Sequence, residues 1–329
     1  MERVRADAHE TGDRRIEGRA LIALGEVTAF RDADNARSRE LIEEGLALLE
    51  PDDFIGRFDA LRQLGTLARW VNDGARARRY AEEAFDAARQ SGRKDLMSWG
   101  ANGLAGSFLS RFELDRAEEL ATEAVRLAEE SGGIVPHGHA LHVLANVAEQ
   151  RGDVDEAIDL YERAIALFAE AGATLDQART LNHLTDAILK QGELARAERL
   201  AREGVRMLKP LGDRGYLCES QRLLAEVLVR QGKLEEAERY ALEAIETVGP
   251  QDVTSLATTR MALGLVRAAQ GRDDEAEELL REAVERAGDP EPGWVHDAMV
   301  RRLGDFLRAR GRADEAAEVE ARIATPARS

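Results

Sequence analysis

Leu141, Leu144, Ala145 and Ala148 stand at the i, i+3, i+4, i+7 spacing that gathers side chains on one face of an α-helix. Leu181, Leu184, Thr185 and Ile188 repeat that stripe forty residues later. Between the two lies another stripe, Ala157, Leu160, Tyr161 and Ala164, set apart from the first by Gly152 and Asp153. The pattern predicts two amphipathic helices per period. A glycine in the left-handed region closes the first helix, and an aspartate opens the second.

The same beat runs through the chain. Gly152, Gly192, Gly232, Gly271 and Gly311 mark it at intervals of 40, 40, 39 and 40 residues, and Phe112 and Asn72 hold the place upstream. Five residues after each marker comes Ala77, Ala117, Ala157, Ala197, Ala237, Ala276 or Ala316, with Ser38 in a first copy one loop residue longer. Seven further on stands another small residue, from Gly45 and Ala84 through Ala124, Ala164, Gly204 and Ala244 to Ala283. Small residues on facing helices, such as Ala145 and Ala157, let two axes approach closely. An Ala157→Leu change is expected to overpack that contact at a cost of about 1 to 3 kcal/mol.

These residues resemble the tetratricopeptide repeats. The signature of that family is Leu then Gly or Ala in a first helix, a Gly-Asp turn, and two small residues in a second helix. It stands here as Leu144, Ala145, Gly152, Asp153, Ala157 and Ala164. The resemblance covers essentially the whole chain, with a period of about 40 residues rather than roughly 34. Long-period copies of this kind resemble the sensor arrays of bacterial signal-transduction ATPases, of MalT-like activators and of peptide-sensing regulators. The resemblance implies an all-α, right-handed α-solenoid (superhelix) of about eight helix-turn-helix repeats over residues 13–325, a tail at 326–329, and first helices lining a concave side. Residues 1–12 align at an offset of 160 with residues 161–172. They are expected to form the back half of a preceding repeat's second helix, with sequence missing upstream, whereas the polar last helix and Pro326 read as a natural end.

Charge and composition narrow the partners. A formal net charge of -17, with no Lys/Arg-rich block, repels a phosphate backbone and excludes direct nucleic-acid binding. One cysteine, Cys218, makes no internal disulfide. Neither a membrane-length apolar run nor an apolar signal-peptide core is present, so the chain is expected in the cytoplasm and away from membranes.

No phosphate-binding loop, nucleophile elbow, dinucleotide fingerprint or zinc-protease motif occurs. An enzyme is not expected, nor a cofactor or a metal. The stretch "DADNARSRELIEE" at 32–44 has three carboxylates in calcium-loop positions, but Arg37 occupies the place of the turn glycine and the repeat makes the stretch a helix start. His139 and His142 lie one helical turn apart, and His183 falls on the next first helix, so three imidazoles with Asp186 nearby could converge on a transition metal. That metal-dependent enzyme is the alternative reading, against ordinary surface histidines. A self-associating spacer is a third.

The feature that carries the main reading is a polar stripe on the first helices. Arg62, Asn102, His142, Asn182 and Arg222 recur every forty residues. Trp99, His139, Asn146, Arg179 and Asp186 flank them at helical spacing. Such a stripe is either a solvated face or the wall of a binding groove. Asn is a poor helix former unless its amide is used, and Trp99 supplies an amphipathic anchor. The groove is expected to hold a protein or peptide segment, its backbone gripped by Asn102 and Asn182 and its acidic residues drawn to Arg179 and Arg222. An effector domain upstream in the parent protein would then read its occupancy. Replacing either Asn with Ala is expected to leave stability unchanged or slightly raised.

Overall fold

The computed structural model describes residues 2–32, 34–71, 73–249, 252–288, 294–321 and 323. After α1 (Glu2–Thr11), first and second helices alternate: α2 (Arg14–Asp32) and α3 (Asn35–Leu48), α4 (Phe54–Trp70) and α5 (Gly74–Ser91), α6 (Lys94–Leu109) and α7 (Leu114–Ser131), α8 (Ile134–Arg151) and α9 (Val154–Glu170). They continue with α10 (Thr174–Gln191) and α11 (Leu194–Leu208), α12 (Arg214–Arg230) and α13 (Leu234–Thr247), α14 (Val253–Ala269) and α15 (Asp273–Ala287), α16 (Trp294–Ala309) and α17 (Ala313–Glu320). Among the described residues there is no strand. The architecture is an all-α solenoid.

The chain forms two compact units, residues 1–109 with 113–151, and residues 110–112 with 152–329. Within the first, α2 packs on α3, α4 on α5 and α6 on α7, and each second helix packs in turn on the following first helix. First helices also touch first helices, α2 with α4, α4 with α6 and α6 with α8. The second unit repeats the scheme, with α10, α12, α14 and α16 in contact in that order. Within each unit, first helices therefore lie beside first helices.

The small-residue positions explain how the helices come so close. Ala117, Ala121 and Ala124 on α7, and Ala237, Ala241 and Ala244 on α13, are fully buried. In the first copy the approach is tighter still. A methyl group at Gly45 would lie 2.6 Å from the Gly18 carbonyl, and one at Gly25 would lie 2.5 Å from Ile42 Cγ1. Ser38, on the same contact, donates its hydroxyl to the Gly25 carbonyl at 2.8 Å. Gly45 and Ser38 thus stand where most later copies carry alanine, and here the backbones meet.

The turns follow the expected chemistry with two exceptions. Gly232 has φ +75, and the Lys233 N–H behind it donates to the Leu228 carbonyl at 2.9 Å, the closure that caps an α-helix with a left-handed residue. Phe112 takes the same conformation, φ 60, without being glycine, and the Glu113 N–H completes the same bond to Phe108 at 3.1 Å. Asn72, the other non-glycine marker, and the tail at 326–329 lie outside the described residues. Asp153 sits at the N-cap of α9, but its side chain makes no capping hydrogen bond. Asp34, Asp53, Asp73, Asp213 and Asp252 do cap their helices. Asp34 belongs to the acidic stretch at 32–44, and its carboxylate accepts from the Arg37 N–H at 2.9 Å, a helix cap.

Candidate functional site

In residues 1–151 the polar stripe occupies α4, α6 and α8. Arg62 is half-buried and reaches Glu26 of α2 only at 4.0 Å. Trp99 leans partly on the apolar core, and its ring lies 4.2 Å from that of His139, tilted by 48°. Asn102 is 6% exposed, and its Nδ2 donates to the Pro136 carbonyl of α8 across 3.4 Å, while Oδ1 is buried without a hydrogen-bond partner. His139 and His142 are buried and Asn146 is half-buried. Here the stripe runs through Trp99 and Asn102 of α6 and His139, His142 and Asn146 of α8. It is far drier than a row of solvated polar side chains.

In residues 152–329 the stripe is bound up with itself. Asn182 donates through Nδ2 to the Tyr216 carbonyl at 3.1 Å and accepts at Oδ1 from the Ser220 hydroxyl at 2.5 Å. Its carboxamide does meet a peptide group, as expected, but the group belongs to α12. The first helices use this Asn to lock onto each other. Arg222 is equally committed. It is buried, its Nε donates to Glu219 at 2.9 Å, and its other nitrogens engage Glu219 and Glu226. Burial disfavours the guanidinium charge, but the two carboxylates outweigh it and raise the pKa well above the ordinary arginine value. Glu226 is also approached at 3.5 Å by Arg302, which comes from α16.

Arg179 lies 3.6 Å from Asp176, with its guanidinium carbon 6.0 Å from the Tyr216 ring centre. Burial works against its charge, while Tyr216 and Asp176 favour it and prevail. Asp186 pairs with Lys190 at 2.8 Å. Burial pushes its carboxyl up, but Lys190 and Arg222 overcome that and hold it below the usual range. The acidic ligand expected from Arg179 and Arg222 therefore meets arginines whose charge is already balanced by carboxylates of their own helices.

His139 and His142 belong to the first unit and His183 to the second. Among the described residues, no three His, Cys, Asp or Glu side chains are arranged to hold a metal ion. His139 lies tilted against Trp99, and His183 stacks on Tyr161 at 5.8 Å and 28°. No described helix is long and apolar enough to cross a membrane.

Two features of the stripe escaped the forty-residue count. Glu219 and Glu226 flank Arg222 at i−3 and i+4, a spacing that predicts pairing on one helix face. Gly103 and Gly106 share the Trp99 face of α6 at helical spacing, and a methyl group added at either would touch nothing within 4 Å. Gly100, in the same helix, is different. There the methyl would fall 2.9 Å from Phe85 Cδ2 and 3.0 Å from Phe85 Cα.

Stacked helical hairpins with buried small residues at the crossings, left-handed turn closures and first helices in lateral contact define a tetratricopeptide-type array. The chain belongs to the MalT-like TPR region family, whose model matches residues 105–327. No curated protein sequence matches it. Among solved structures it is similar to the apo form of the quorum sensor NprR from B. thuringiensis, at 14% identity and a TM-score of 0.62 over 93% of this chain and 86% of that one. It is also similar to a Rap protein complexed with Competence and Sporulation Factor, at 16% identity and 0.55 over 93% and 76%. A third is a signal-transduction ATPase with a tetratricopeptide repeat sensor from Pyrococcus horikoshii, at 14% identity and 0.58; the match takes in 92% of this chain and 47% of that protein.

Proposed function

We propose that this array is a non-catalytic interaction and sensing module of a cytoplasmic regulatory protein, which seats a protein or peptide segment against its first helices. The observation that carries the reading is the α6 face. A glycine inside a helix costs about 0.5 to 1 kcal/mol relative to alanine, and Gly103 and Gly106 incur that cost although nothing in the fold crowds them. Bare backbone beside Trp99 gives a second molecule close access to the helix, with the indole as an amphipathic anchor. Asn102, His139, His142 and Asn146 frame this seat, and Arg62 lies on the neighbouring α4.

In residues 152–329, Asn182 ties α10 to α12, and Arg179, Asp186 and Arg222 are paired with charged side chains of their own helices. The seated segment need not be acidic. Family membership and the solved relatives support a regulatory sensor, since those proteins are a quorum sensor, a sensor-bearing ATPase and a Rap protein caught with Competence and Sporulation Factor. An effector, on the same polypeptide or another, would read occupancy. The test is selection of displayed peptides on the whole chain. Peptides so obtained should lose most of their affinity for Gly103→Leu and Gly106→Leu variants of unchanged helicity. Equal binding to wild type and both variants would refute the assignment.

A further inference from the structure

One cleft on these first helices is short of hydrogen-bond donors. It has a volume of about 200 Å³ and is walled by Arg19, Ile22 and Glu26 of α2 and by Asp59, Arg62 and Gln63 of α4. Gln63 is 8% exposed, and its Oε1 is buried without a partner. A carboxamide oxygen left so is destabilising, so native folds rarely keep one without a use. Asp59, one turn before it, has no hydrogen bond or ion pair with any described residue. Burial pushes its carboxyl above the ordinary carboxylate range, even with the charges of Arg62 and Arg19 in its surroundings.

The cations on the wall do not fill the gap. Arg19 is turned to Asp53, donating at 2.6 Å and 3.2 Å, and Arg62 meets Glu26 only at 4.0 Å. The side chains of Glu26, Asp59 and Gln63 thus line a space that supplies none of them a close donor.

We propose that this cleft receives the cationic end of a basic side chain, a guanidinium or ammonium group, held by Gln63 Oε1 with the carboxylates of Asp59 and Glu26. Several N–H donors converge on one planar or tetrahedral cation, which is what three acceptors around a small volume require. The chain's net charge of -17 favours the same sign of ligand. The inference rests on the reading of the first helices as a binding wall and adds the chemistry of one residue of the bound segment.

The experiment uses the whole chain and three probes of one shape: N-acetylarginine amide, its neutral glutamine counterpart and the anionic glutamate counterpart. The reporters are the Gln63 side-chain amide resonance and the carbon-detected titration of Asp59. The arginine probe should shift the Gln63 resonance saturably and move the Asp59 midpoint downward, while the other two leave both in place. Gln63→Leu should weaken the probe about tenfold, the loss of one charge-assisted hydrogen bond, and Gln63→Glu should strengthen it.

A response to the glutamate probe alone, no saturable response to any, or shifts spread over the acidic surface without saturation at Gln63 would each overturn the proposal. The α6 reading has its own readout, the Gly103→Leu and Gly106→Leu comparison, so loss of the cleft and loss of the groove are told apart.

Discussion

Asn182 Oδ1 and Ser220 Oγ lie 2.5 Å apart, and Gly204 is what leaves room for them. A methyl group at Gly204 would come within 2.7 Å of the serine hydroxyl and 3.2 Å of the carboxamide oxygen. The second helix α11 therefore lacks a side chain at this point so that two first helices can exchange a hydrogen bond.

Removing that bond should be destabilising, against the expectation drawn from helix propensity. Alanine gains a few tenths of a kcal/mol over asparagine in a helix, but Asn182→Ala leaves the buried Ser220 hydroxyl without its acceptor, at about 1 to 3 kcal/mol. Gly204→Ala should destabilise the wild type as well. In an Asn182→Ala, Ser220→Ala background the same change should stabilise by up to about 1 kcal/mol, because only the helix preference remains. Urea unfolding of the four variants gives the sign, and additive effects would show that the three residues are not coupled.

Phe112 occupies a left-handed turn position held by glycine at the equivalent places. At 43% exposure Phe112 is one of the more exposed large apolar residues, so removing it loses less burial than removing a core phenylalanine would. Phe112→Gly should stabilise by about 1 kcal/mol, the penalty an L-residue carries in that region less the greater chain entropy of unfolded glycine. Thermal unfolding would show a raised Tm. A fall would mean that the ring holds something in place.

The beat of the fold was legible because turn closure and helix crossing each admit few residue types. Left-handed φ selects glycine and close crossings select alanine, so both recur with the period. In the stripe the residue types were legible, and the partners of each side chain were not. Asn182 and Arg222 stand where the forty-residue count puts them, yet whether each is free for a ligand depends on Tyr216, Ser220, Glu219 and Glu226, which vary from copy to copy. A period detects what repeats. The partners that silence a residue, and the glycines that expose α6, do not repeat.

Glu198 links neighbouring second helices. It accepts from Lys233 Nζ at 2.9 Å and from Arg202 at 2.8 Å. The Lys233 bond is the chief cause that brings its carboxyl from 4.5 down to about 2. A folded pKa below the unfolded one gives stabilisation that is complete above about pH 4.5 and is lost as pH falls toward 2. Glu198→Gln should lower the Tm at neutral pH, less so in high salt because Lys233 is half in solvent, and the difference from wild type should shrink on acidification. A deficit equal at pH 7 and near pH 2 would assign the effect to packing.

Gly100, Gly103 and Gly106 make a test within one helix. Gly100 faces Phe85, so a methyl there must move an aromatic side chain and the α5 backbone, and Gly100→Ala should destabilise by about 1 to 3 kcal/mol. Gly103 and Gly106 face open space, so each alanine should stabilise by about 0.5 to 1 kcal/mol and the pair additively. Stabilising changes that the chain has not adopted are expected where function needs the unfavourable residue. If both alanines stabilise while a selected peptide binds the double variant several-fold more weakly, the bare backbone beside Trp99 is a contact surface. If they stabilise and binding is unaffected, the two glycines have no part in recognition, and Trp99 with His139 must be sought as the contact in their place.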